Sequence, residues 1–107
     1  MREIYFYDEV HEDIESIKSY ILDKSLDVGI ATEFTEKLYK RTEILKSSPT
    51  IGKKFFYKNF DTGMRYLIEG KYCIFYDATI NDKWIVVVAV VHGMRKYEKI
   101  VNARKGK

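Results

Sequence analysis

Apolar and polar residues change their period twice along this chain. Glu3-Ile4-Tyr5-Phe6-Tyr7 is a short aromatic and β-branched run that reads as a strand, and Asp8 stands where a helix N-cap is expected. Val10, Ile14, Ile17 and Ile21 then recur at steps of four, three and four, the stripe of an amphipathic helix whose other side carries Glu12, Asp13, Glu15 and Lys18. Ser25 to Gly29 breaks the pattern, with Asp27 as a second cap. Ile30, Phe34, Leu38 and Leu45 resume it to about Lys46. Two helices joined so closely form an antiparallel hairpin whose apolar stripes need a sheet to cover them.

Ser47-Ser48-Pro49-Thr50-Ile51-Gly52 is a loop, and from there the period is that of strands. Lys53 to Lys58 reads as an irregular basic connector in which Phe55-Phe56-Tyr57 is at most a short edge strand. Met64–Glu69 and Tyr72–Asp77 are strands flanking Gly70-Lys71, a pair suited to a type II′ hairpin turn because glycine comes first. This pairing sets Arg65 opposite Tyr76, on one face with Leu67 and Ile74. Trp84 to Val91 contains almost no polar residue, so it belongs inside the sheet. The order is β-α-α-β-β-β, an α+β fold: a helical hairpin packed on one face of a mainly antiparallel sheet of about four strands.

Length and composition narrow the class. The 107 residues, 46% hydrophobic and 33% charged, suit one soluble domain over 1–107, with a basic C-terminal tail from about 102. One cysteine, Cys73, excludes an internal disulfide, and two histidines, His11 and His92, make no zinc cluster. No metal and no cofactor is expected. The N-terminus does not resemble a secretory signal, and no stretch approaches the roughly 20 apolar residues of a membrane span, so a cytoplasmic protein with no membrane partner is expected. The net charge of +3 conceals a division: residues 1–50 hold 7 Lys/Arg and 11 Asp/Glu, whereas residues 51–107 hold 12 and 5. A basic half attracts nucleic acid, phosphate groups or an acidic protein segment.

Candidate chemistry gathers in that half. Gly93 turns the chain out of the last strand and delivers His92, Arg95 and Tyr97 to the rim of the sheet. Arginine can bind phosphate bidentately, histidine titrates in the range for proton transfer, and tyrosine can stack or donate a proton. Arg65 is a further candidate. Lys53, Lys54, Lys58 and Lys71, interleaved with aromatics, could hold an anionic strand by charge and stacking, as could Lys96, Lys99 and Arg104 near the end. On spacing alone the simpler account is preferred: His92 packs at a strand end and the cations keep the surface solvated. Cys73, with apolar neighbours, reads as a small buried hydrophobe. There is no phosphate loop, His-Glu-x-x-His or Gly-x-Ser-x-Gly motif.

The element order, the Ser48–Gly52 turn, the hairpin R65-Y-L-I-E-G-K-Y-C-I-F-Y76 and the segment V90-V-H-G-M-R-K-Y-E-K99 together resemble the RelE/ParE superfamily of bacterial type II toxins. The resemblance spans essentially the whole chain. It implies a small basic toxin inhibited by an antitoxin whose acidic or amphipathic segment wraps it, and one of two targets. One branch cuts messenger RNA on the ribosome without metal; the other poisons DNA gyrase by binding. In the first, Arg65, His92, Arg95 and Tyr97 would be catalytic. However, Cys73 stands where RelE-like ribonucleases carry an arginine, and Val101 stands where they place an aromatic. The pattern Leu67–Tyr76 followed by Val91-His-Gly-Met-Arg95 is closer to the ParE branch, so gyrase binding is expected, with ribonuclease activity as the alternative. The arginines are expected to share one positively charged hollow. Without antitoxin, an apolar groove along the helical hairpin would favour self-association.

Overall fold

The computed structural model describes residues 1–105, apart from the Lys105 side chain. Strand β1 (Glu3–Phe6) leads into helix α1 (Asp8–Ser25). Tyr7, not Asp8, occupies the cap position: the chain turns at Tyr7, whose carbonyl accepts the Val10 N–H, so Asp8 already lies in the first turn. There it acts with Glu9 on the positive end of the helix dipole rather than as a hydrogen-bonding cap. The second cap is as expected. Asp27 Oδ1 accepts from the N–H groups of Gly29 and Ile30 at 2.8 and 3.2 Å and starts α2 (Val28–Arg41), which tightens into a 3₁₀ turn over Thr42–Lys46. The buried stripe of α2 is Ala31, Thr35 and Leu38, continued by Thr42 and Leu45. Ile30 falls outside it, 51% exposed, because the face of α2 packed against the rest of the fold runs one residue later, through Ala31 and Thr35.

Strands β2 (Lys53–Tyr57), β3 (Phe60–Glu69), β4 (Tyr72–Asp77) and β5 (Trp84–His92) complete a five-stranded sheet in the order β1-β5-β4-β3-β2. Only the β1–β5 pair is parallel. The expected α+β architecture holds, with one strand more than anticipated. The supposed connector is β2, paired with β3 through a turn at Lys58 and Asn59, both at positive φ (50° and 69°). That is the backbone of a type I′ hairpin, formed here without the Asn-Gly signature that would have announced it. At the β3–β4 turn Gly70 has φ +60° and Lys71 does not share the positive φ, as a type II′ turn requires.

The sheet has two covered faces. On one, α1 and the α2 segment contribute Val10, Ile14, Ile17, Leu38 and Leu45 against Leu67, Ile74, Tyr76, Ile85, Val87 and Val90. On the other, Phe55, Met64, Cys73, Phe75, Val86, Val88, Ala89 and Val91 lie under helix α3 (Tyr97–Lys105), chiefly under Val101 and Tyr97. The segment expected as a tail from about 102 is therefore helical through Lys105; residues 106–107 lie outside the described residues.

Tyr76 fastens the loop between the 3₁₀ turn and β2 to the middle of the sheet. Its hydroxyl, fully buried, donates to the Pro49 carbonyl at 2.8 Å and accepts from the Gly52 N–H at 2.9 Å. A Cβ at position 52 would stand 2.6 Å from that oxygen, so the bend admits only glycine without rearrangement. Burial pushes the Tyr76 phenol above its ordinary range, offset in part by the Gly52 bond and by Arg65.

Candidate functional site

Register decides which candidate side chains meet. Ile85 and Val87 of β5 face the helical hairpin, but a bulge intervenes: Ala89 pairs with Phe75 and Val87 with Tyr76, leaving Val88 over. The extra residue inverts the alternation beyond it. Val90 and His92 consequently face α1, and Val91 faces α3. His92 stands edge-on to Tyr72, its partner in β4, with ring centroids 5.3 Å apart. Its Nδ1 accepts the Met94 N–H at 3.0 Å and its carbonyl accepts the Arg95 N–H at 3.0 Å, so the ring is held as an acceptor at Nδ1. The same turn brings Arg95 over a hollow of about 380 Å³ lined by Asp13, Ser16, Ile17, Tyr20, Tyr72, Val90, Val91 and His92. Burial, and then Tyr20, raise the Tyr72 phenol.

Arg65 lies elsewhere. It sits opposite Tyr76 and Lys54, toward the far end of β4 from His92, and its Nη1 donates to the Gly52 carbonyl at 2.9 Å. Around it a second hollow of about 250 Å³ gathers Arg2, Thr50, Lys54, Asp61 and Thr79. Arg2 Nη1 donates to Ala78 O at 2.6 Å, and Lys54 Nζ is 3.8 Å from Asp61. Each of these cations already has a structural partner.

Tyr97 occupies a third place, on the α3 face, packed on Phe75 and Phe55 with centroids 5.1 and 6.1 Å away. Burial first, then Glu98, Tyr66 and Cys73, raise its phenol. Burial also raises the Cys73 thiol, and Lys53 opposes that shift as a nearby cation. Arg104 is not a free cation of a tail: its Nη1 and Nη2 grip Asp13 Oδ2 and Oδ1 at 2.6 and 2.9 Å, and the bond to Asp13 holds the guanidinium firmly protonated. Lys58 lies over Tyr57, 5.5 Å from the ring centroid, and Lys71, Lys96 and Lys99 are exposed.

The expected common hollow is therefore not formed. His92 and Arg95 share one concavity, Arg65 lies in another, and Tyr97 is on the opposite face of the sheet. The partners that sequence reasoning passed over are Asp13, Ser16 and Tyr20, set at steps of three and four along one side of α1. That spacing was visible; its meaning was hidden by the acidic residues around it.

Comparison with known proteins completes the picture. A family model described as ParE toxin of the type II toxin-antitoxin system parDE matches residues 4–97. The chain belongs to the ParE toxin family. No curated protein sequence matches it. Among solved structures, this ParE-family chain is similar to one from the chromosomal ParDE toxin-antitoxin system of P. aeruginosa, at 13% identity and a TM-score of 0.69, over 86% of this chain and 96% of that one. It also resembles a chain of the RelBE2 toxin-antitoxin complex from Mycobacterium tuberculosis, at 17% identity and a TM-score of 0.53, over 85% and 96%. Both likenesses establish the fold, which ParE- and RelE-type proteins share. The choice between their chemistries must come from residues.

Proposed function

We propose that this ParE-family toxin arrests growth by binding DNA gyrase in the cytoplasm, without cutting RNA, and that an antitoxin polypeptide neutralises it. One observation carries this reading. Metal-independent RNA cleavage needs cations, a proton acceptor and a proton donor around one phosphate, and Arg65, His92, Arg95 and Tyr97 lie at three separate places. On the α3 face, the position an arginine would occupy holds the buried Cys73. The exposed cations Lys53, Lys71, Arg95, Lys96 and Lys99 fit a role in binding an anionic target surface.

Purified gyrase with supercoiled plasmid, and primer extension on transcripts from induced cells, together test the proposal. The expected result is linearised plasmid with toxin present and no codon-phased cuts in messenger RNA. Ribosome-dependent cuts with gyrase unaffected would replace this reading with the ribonuclease one. An Arg95→Ala, Lys96→Ala double variant should weaken the gyrase effect on the order of tenfold and steepen no other activity.

A further inference from the structure

Strand β1 ends at Phe6, opposite Val87, so the edge of β5 on that side has no strand beside it from Val88 onward. Two bonds fix how its backbone points. The Gly93 N–H reaches Lys71 O across the β4 side at 2.8 Å, whereas the Val90 N–H donates to Asp13 Oδ2 at 3.0 Å on the vacated side. By the alternation of a strand beyond the bulge, Val90 N–H, Val90 C=O and His92 N–H face the vacated edge, and Val88 C=O, reached by Arg104, faces it too.

Two of these groups are occupied in an unusual way. Arg104 Nη1 donates to Val88 O at 3.4 Å and Asp13 accepts from Val90 N, while the two side chains are joined by their own bidentate bond. Opposite Ala89, the ion pair thus supplies one donor and one acceptor, which is what a parallel neighbour would supply from its own N–H and C=O. One step on, opposite Val91, the Val90 C=O and His92 N–H have no partner among the described residues, and they border the hollow beneath Arg95.

We infer that this vacant position accepts one residue of an extended segment of the antitoxin, laid parallel to β5 in line with β1. The inference rests on the antitoxin reading above and deepens it. The inserted residue would donate to Val90 O and accept from His92 N, and its neighbours would direct a side chain toward Ile17, Tyr20 and Tyr72, the apolar wall of the hollow. A carboxylate beside it suits the mouth. Arg95 is exposed there, followed by the exposed Lys96, and the exposed Lys71 is joined to the same turn through its carbonyl, which accepts the Gly93 N–H, whereas Asp13, the acid of the lining, is already matched by Arg104.

The test uses the full chain co-expressed with the polypeptide encoded beside its own gene, with amide exchange followed residue by residue. Binding should slow exchange at His92 by on the order of tenfold or more. Ser16→Arg, which fills the hollow from the exposed side of α1, should weaken the complex by on the order of tenfold while leaving the amide spectrum of the free chain folded. A complex that forms with His92 exchange unchanged overturns the docking position and leaves the antitoxin reading standing. Failure to form any complex removes both. His92 protection in the free chain at low concentration would mean that the chain covers its own edge, and protection rising with concentration would mean a second copy does; either result overturns the inference.

Discussion

The two faces of the sheet are covered by different means. On the hairpin face, two helices and a 3₁₀ turn contribute five buried aliphatic side chains, Val10, Ile14 and Ile17 from α1, Leu38 from α2 and Leu45 from the turn. On the opposite face a nine-residue helix, rich in charge, contributes little beyond Val101 and Tyr97 and is tied at its end by Arg104 to Asp13. The first cover is held by apolar area, which is distributed and non-directional; the second depends on one charge-assisted contact at its far end. A distributed cover fails only with the fold. A tethered one can loosen alone.

Three measurements sharpen or break this contrast. Leu38→Ala, at a position 1% exposed on the hairpin face, should cost about 2–5 kcal/mol in denaturant unfolding, with strands and helices lost in one transition. Arg104→Met should cost less, about 1.5–3 kcal/mol, and act locally. Its signature is faster amide exchange confined to α3 and faster alkylation of Cys73 at pH 8, where burial now holds the thiol above its usual range and keeps the reactive thiolate scarce. If Arg104→Met instead unfolds the whole chain as steeply as Leu38→Ala, the distinction between the two covers is wrong. Asp27→Ala, which removes the α2 cap, should cost about 1 kcal/mol and leave Cys73 reactivity unchanged.

The same contrast explains what could be read from the sequence. Helices α1 and α2 bury wide stripes, so their periods are written in Val10, Ile14, Ile17 and Leu38, and β5 announces itself by having almost no polar residue. Helix α3 buries too little for a period to stand out against Lys96, Lys99 and Arg104. Strand β2 was obscured by a Lys58-Asn59 turn that takes positive φ without glycine. The site was harder still. His92 faces α1 because Val88 is left over in the register, and a one-residue bulge in a run of valines has no signature in composition. The Gly70-Lys71 turn sets Arg65 opposite Tyr76, yet the arginine's partnership with the Gly52 carbonyl depends on a loop folding back over the sheet. Pairing is local enough to infer; convergence of distant segments is not.

The clasp made by the Tyr76 hydroxyl between Pro49 and Gly52 has a mechanical consequence. The loop it grips is the route by which the chain passes from the helical layer to the outermost strand, so the margin of the sheet is moored to its middle. Any partner that pulls on β2 would meet the stiffness of β4 rather than that of a free border. Tension applied there should be transmitted inward before the border gives way.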